Sequence, residues 1–362
     1  MLLATLAGCS SSAPSADAGK GPLQPEQRFG NDTELVADFS NVKQCVYREG
    51  RLDHSCKDLL TLQQRIATKS RRPATRSKVV TTLANLLESR RELTRLVAAD
   101  NLFLHHQDPQ IVAAIRRALP LEVVPNVKAT LLRQSCWKVT PWARRTALEL
   151  LALKEHDLVQ AEAAICLGRM GRDSTSRDTV IQALVAATAR DRTAAVRGNA
   201  CAALGAVGAS EAVKTMAALL DDPALDWRCG SALAQVGTEE AYQALSRGVA
   251  AALARDRMPI QHVMALTRFA DKPFFQRAPT VRLLRNIAAR HTLSWIARKR
   301  AVEELIRLEA TAELEHLRVR YGTKEHEEGD DAVIRALQAQ TKPAKQTKPG
   351  KQTKPGKQIK PK

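Results

Sequence analysis

From about residue 33 to residue 339 the apolar positions recur three and four apart, the spacing that lines one face of an α-helix. Leu83, Leu86, Leu87, Leu93, Leu96 and Val97 make one such stripe. No stretch alternates apolar and polar residues over the length of a strand, and no Asn-Gly or Asp-Gly pair marks a hairpin. Proline falls mainly at junctions, as in Asp108-Pro109, Asp222-Pro223 and Lys272-Pro273. The pattern predicts an all-α chain of about fourteen helices at ordinary helix length.

The helical pattern also repeats. Ala163-Ala-Ile-Cys-Leu167-Gly-Arg-Met-Gly171, Ala200-Cys-Ala-Ala-Leu204-Gly-Ala-Val-Gly208 and Cys229-Gly-Ser-Ala-Leu233-Ala-Gln-Val-Gly237 follow one plan. A small residue stands four before each Leu and Gly stands four after it. Weaker copies centre on Leu266 and on Leu305, the latter with Ala301 and Arg298 in register. The segment from Ala195-Val196-Arg197 through Leu204-Gly205-Ala-Val-Gly208 to Asp221-Asp222-Pro223 resembles a HEAT repeat. It has the Val-Arg pair, the small-residue helix, the Leu-Gly-x-x-Gly turn and the closing Asp-Pro. The resemblance is firm over 158–245 and weaker over 108–155 and 258–318. It implies an α–α superhelix, a HEAT-like solenoid in which each helix pair covers the apolar face of its neighbour. Two positions depart from the pattern: the residue matching Arg197 is Gln160 in one flanking copy and Asp226 in the other, and the later copies lose the Gly.

Both ends read differently. The chain opens Met1-Leu-Leu-Ala-Thr-Leu-Ala-Gly-Cys9-Ser, and Leu6-Ala7-Gly8-Cys9 resembles the lipobox of bacterial lipoproteins. That resemblance implies cleavage before Cys9, acylation of its thiol and a lipid anchor in the cell envelope. Ser10 after the cysteine points to the outer membrane, with the protein facing the periplasm. Only eight residues precede Cys9 and none is charged, so an apolar terminus with a chance Cys is the competing reading. The Ser-, Ala-, Gly- and Pro-rich stretch that follows reads as a flexible tether. The expected organisation is a truncated signal region (1–8), lipidated Cys and linker (9–32), an N-terminal helical region (33–107), HEAT-like repeats (108–320), a charged helical segment (321–339) and a tail (340–362).

Charge changes the picture most at that tail. The formal net charge is +18, and the last 23 residues carry eight lysines and no acid. Lys342, Lys345, Lys348, Lys351, Lys354, Lys357, Lys360 and Lys362 sit in a Gln-Thr-Lys-Pro-Gly-Lys-like unit repeated every six residues. Proline at that period excludes a helix, and the near absence of apolar groups excludes a core. The tail reads as an extended basic arm for an anionic envelope polymer, or as a passive solubilising extension.

Candidate chemistry is sparse. Of seven cysteines, Cys45 and Cys56 flank a turn marked by Gly50 and Asp53, with ten residues between them. In an exported protein they read as a disulfide; two free thiols, or a zinc site with His54, are the alternatives. Cys166, Cys201 and Cys229 fall in repeat helices and read as small core side chains. No phosphate-binding Gly-Lys-Ser/Thr loop, Gly-x-Ser-x-Gly elbow or His-Glu-x-x-His is present. Iron-dependent hydroxylases built on HEAT units carry several His-Glu dyads, whereas this chain has the single His326-Glu327. HEAT-like DNA glycosylases use a basic face with aromatics, which Trp137, Trp142, Trp227 and Trp295 could mimic. An envelope protein would not meet genomic DNA, so the tryptophans read as packing between helices. The pairs Arg71-Arg72 and Arg144-Arg145, and Arg298-Lys299-Arg300, read as solvated helix faces or as the lining of a groove. The expectation is a non-enzymatic scaffold with a protein partner and no metal or cofactor; the alternative is a metal-dependent or nucleic-acid-processing enzyme on the same scaffold.

The tail gives a direct expectation. Deleting 340–362 lowers binding to heparin-like or lipopolysaccharide surfaces, and the binding lost is steeply salt-dependent because each neutralised charge releases a counterion. A salt series on the full and shortened chains checks this; equal binding by both makes the tail a passive extension.

Overall fold

Caps and prolines decide where each helix begins. The computed structural model describes residues 32–42, 45, 46, 52–153, 155–171, 176–255, 257–322 and 330–339. Among them are eighteen α-helices and a single isolated antiparallel bridge, Val46 to Leu52. The count exceeds the fourteen expected because Pro73, Pro109, Pro125 and Pro141 each open a new helix at its first turn, where a missing N–H costs nothing. Elsewhere a side-chain oxygen caps the start: Thr140 accepts from the Ala143 N–H at 3.1 Å and Thr238 from Ala241 at 3.3 Å. The lipobox with Cys9, the linker up to residue 31, His326-Glu327 and the lysine tail lie outside the described residues.

The described helices form two units, Met1–Lys138 and Val139–Lys362. The first unit runs α1 (Thr33–Asn41), α2 (Lys57–Ser70), α3 (Pro73–Leu86), α4 (Glu92–Asp100), α5 (Pro109–Leu121) and α6 (Pro125–Ser135). Here α3 lies against α5 and α4 against α6, so two helix pairs stack on each other. Leu83, Leu86, Leu96 and Val97 of the sequence stripe are buried between them.

The second unit runs α7 (Pro141–Ala152), α8 (Asp157–Met170), α9 (Arg177–Ala186), α10 (Ala194–Val207), α11 (Val213–Ala218), α12 (Asp226–Val236), α13 (Glu239–Ala254), α14 (Ile260–Leu266), α15 (Arg277–Ala289), α16 (Trp295–Arg307), α17 (Thr311–Gly322) and α18 (Asp330–Ala339). Helices α8, α10, α12, α14 and α16 form one layer in chain order. The layer behind it includes α11 against α13 and α15 against α17. This is the repeated helix-pair architecture that the HEAT-like pattern implies. Its leucine anchors Leu167, Leu204, Leu233, Leu266 and Leu305 are all buried.

The glycines of the repeat turns do two kinds of work, and Gly171, with φ −78° and a Cβ position 2.6 Å from Val207 Cγ2, belongs with the close-contact ones. A Cβ on Gly168 would stand 2.9 Å from Ala203 Cα, and one on Gly205 would stand 2.5 Å from Ala232 Cα. Gly168 and Gly205 thus let α8 meet α10, and α10 meet α12, backbone to backbone. The other kind closes the helix: Gly208 and Gly237 take φ values of 71° and 72°, a left-handed cap that any Cβ disfavours. In two copies the residue seven before the anchor ties its helix to the preceding connection. Gln160 donates to the Leu153 carbonyl at 2.6 Å; Arg197 donates to the Thr188 carbonyl at 3.3 Å and to Asp222 Oδ2 at 3.0 Å.

Arg298, at the same register in α16, corrects the reading of its cluster as a solvated face. It is buried and pairs with the buried Asp330 of α18, while the Tyr321 hydroxyl accepts from it and donates to the Ala288 carbonyl. The reason is register: seven before Leu305 a side chain points into the layer, and burial there requires a partner for the charge. His262 of α14 is also buried, beside Gly230 and Gly248, and neither ring nitrogen has a hydrogen-bond partner. Burial pushes its pKa down, so the ring is neutral.

Two glycine replacements separate close approach from cap. Gly205→Ala forces α10 away from α12 and costs about 1–3 kcal/mol. Gly208→Ala meets no atom within 4 Å, so it costs only the left-handed backbone term, about 1–2 kcal/mol. Urea unfolding gives both numbers. Adding Ala232→Gly restores part of the Gly205→Ala loss and none of the Gly208→Ala loss.

Candidate functional site

The open side of the α8–α16 layer carries the most distinctive described surface. On α10 the side chains facing outward are Asn199, Ala202 and Ala206, too short to fill the space between flanking helices. With Ile165 and Arg169 of α8 and Gln235 of α12 they leave a trough of about 480 Å³. Where α12, α14 and α16 meet, a second groove of about 290 Å³ has a different lining. Trp227 forms one wall and is 52% exposed. Met264 of α14 supplies a further apolar surface, and Arg268 and Arg300 bring positive charge.

Neighbouring contacts fix the chemistry of this groove. The Arg228 guanidinium sits 5.1 Å from the Trp227 ring centroid, a cation–π contact that holds the indole. Arg268 Nη1 donates to the neutral Ser231 hydroxyl at 2.9 Å, which leaves its charge uncompensated. The acids on α16 are engaged: Glu304 accepts from Arg307 Nε at 2.8 Å and Glu303 pairs with Lys299 Nζ at 2.9 Å. An exposed indole, a thioether and free guanidinium charge within one groove suit a peptide with an apolar anchor beside a carboxylate.

Three tryptophans depart from the expected packing role: Trp137, Trp227 and Trp295 are all exposed, and Trp142 is half-buried. The Ala- and Gly-lined helix faces approach too closely to admit an indole. Arg71 and Arg72, in the connection between α2 and α3, and Arg145 of α7 are exposed.

The cysteines also differ from expectation. Cys201 of α10 and Cys229 of α12 form a disulfide, with Cα atoms 5.5 Å apart, instead of standing as separate small core residues. The same close approach that needs Gly205 brings their sulfurs into bonding range. Nothing in the repeat pattern signals this, because a Cys at a small-residue position looks like a variant of Ala. Cys45 and Cys56 are joined in the first unit, Cα to Cα 5.4 Å, between α1 and α2. The Asp53 N–H donates to the Cys45 carbonyl at 2.8 Å, which closes the turn between them. Asp58 lies within 4.8 Å of both sulfurs, but a disulfide offers no thiolate to a metal. His54, the other ligand considered, stands 3.7 Å from Asp100. Cys9 and the eight tail lysines lie outside the described residues.

The family model for HEAT repeats matches residues 144–228 and, overlapping them, 181–261. No curated protein matches the chain. The two matched stretches run from within α7 to the start of α14; they include the trough and, of the groove, Trp227, Ser231 and Gln261.

The bonds between cysteines are open to direct test. Peptide mapping without reductant, on protein made in an oxidising compartment, should recover Cys45 linked to Cys56 and Cys201 linked to Cys229. Cys229→Ala then costs about 3–4 kcal/mol, the chain-entropy value for a loop of this length. Recovery of all four as free thiols overturns the pairing.

Proposed function

On the premise that residues 144–261 are HEAT repeats, we propose that this protein is a non-enzymatic helical-repeat scaffold, lipid-anchored in the bacterial cell envelope, that binds a protein partner. Stacked helix pairs present an open, extended surface instead of a closed pocket, which suits recognition of another chain. The single observation that carries the reading is the groove of Trp227, Met264, Arg268 and Arg300 on that surface.

The envelope part of the proposal is supported from two directions. Leu-Ala-Gly-Cys9, followed by a small-residue linker, supplies an acylation site and a tether. The Cys45–Cys56 and Cys201–Cys229 bonds fit an oxidising compartment, in which an exported domain would fold. The basic tail adds attraction to anionic envelope polymers without sequence or shape selection.

The test uses the intact mature protein as bait in envelope extract, beside a Trp227→Ala, Arg268→Ala variant. Both side chains are exposed, so the variant melts like the parent. The expected outcome is a partner retained by the parent and lost, by at least about tenfold, from the variant. Equal retention removes the groove from the reading. In parallel, Cys9→Ser, tested without residues 340–362 and in high salt, should shift the protein from the membrane toward the soluble fraction; mass spectrometry that finds no acyl group on Cys9 of the mature protein rules out acylation there.

A further inference from the structure

The first unit carries a separate feature, at the link between α5 and α6. Pro120 ends α5 after Leu121, and Pro125 opens α6. Between them the backbone is extended, with Glu122 at φ −75°, ψ 127° and Val124 at φ −82°, ψ 116°. Side chains alternate in such a segment. Glu122 points inward, its side chain only 4% exposed, while Leu121 and Val123 on either side are 81% and 85% exposed. These are the two most exposed large apolar residues among those described.

Glu122 makes the arrangement rigid. Its carboxylate accepts from Arg95 Nε at 2.7 Å and Arg95 Nη2 at 3.0 Å, and from the Val123 and Val124 N–H groups at 3.1 and 2.9 Å. Burial alone would push this carboxyl up, but the guanidinium and the two N–H groups outweigh it and hold it below the ordinary glutamate range. The link therefore presents two aliphatic side chains to water and hides the one charge between them.

Arg95 also donates to the Ser89 carbonyl at 2.9 Å, which joins this link to the α3–α4 connection. There Arg90 and Arg91 are exposed. Glu88 beside them pairs with Arg117 of α5 at 3.3 Å, and Glu92 opens α4. Counting Arg116 and Arg117, the edge remains basic around its apolar tip.

We propose that this edge docks on an anionic bilayer, with Leu121 and Val123 inserted among the acyl chains and Arg90 and Arg91 on headgroup phosphates. A bilayer fits better than a protein partner because of size. A stable protein interface buries about 1,200–2,000 Å², far more than two side chains provide, whereas membrane insertion gains free energy side chain by side chain. Arginine at the rim suits phosphate oxygens, which it binds in bidentate fashion. The proposal is independent of the groove on the second unit and of acylation at Cys9.

Vesicle flotation tests it, using the full chain with Cys9→Ser so that no acyl group contributes. Vesicles of phosphatidylethanolamine with phosphatidylglycerol are compared with phosphatidylcholine alone, at low salt and at about 0.5 M salt, where the lysine tail is screened. The expected result is binding to the anionic vesicles that survives salt in part and falls at least about tenfold in Leu121→Ser, Val123→Ser, with unchanged melting. Arg90→Gln, Arg91→Gln should weaken binding to anionic vesicles and leave the weak phosphatidylcholine binding as it was. Equal flotation of the Leu121→Ser, Val123→Ser variant and its parent overturns the proposal. So does light scattering that shows a dimer for the parent and a monomer for the variant, which would make the patch a contact between copies of the chain.

Discussion

The second unit depends on one constraint: the helix faces of its inner layer must be small enough to touch. Gly168 against Ala203 and Gly205 against Ala232 bring backbones together with no side chain between them. Dispersion then acts over whole helix faces, and each buried leucine anchor is covered on both flanks. Trp227 and Trp295, though on α12 and α16, are exposed; the absence of tryptophan from the contacts between these helices follows from that approach distance. So does the open trough, because the outer faces of these helices carry alanine as well.

This constraint explains what the sequence made legible. The spacing of Leu167, Leu204 and Leu233, with small residues before and Gly after, was enough to give the fold class and the register of the inner layer. It was not enough to divide the roles of Gly205 and Gly208, because φ and interhelical distance are not written in a one-dimensional pattern. Arg298 was misread for a related reason. A cluster of three basic residues suggests solvent, and only the three-dimensional position of Asp330, 32 residues on, shows that one of the three is buried. The Cys201–Cys229 bond was hidden because two cysteines 28 residues apart have no local turn between them, unlike Cys45 and Cys56.

The groove was legible only in pieces. Trp227 and the arginines were visible as residue types, but which helices would place them together depends on a layer order that skips every second helix. In the first unit the outward display of Leu121 and Val123 was harder still to foresee. Leu121-Glu122-Val123-Val124 between two prolines carries no repeat pattern, and it is the inward turn of Glu122 onto Arg95 that sends its two apolar neighbours outward.

The Cys201–Cys229 bond has a mechanical consequence. A stack of helix pairs bends by small rotations at each junction, and its stiffness is that of its softest junction. Between α10 and α12 a covalent link and a backbone-to-backbone contact act together, so that junction behaves as a weld. Between α12 and α14 the third copy has Ala234 where the others have the close-contact glycine, and no cross-link joins the two helices. That junction and the sparser one between α14 and α16 both wall the Trp227 groove, so a load pulling on the second unit would change the width of the groove before it opened the α10–α12 contact beneath the trough.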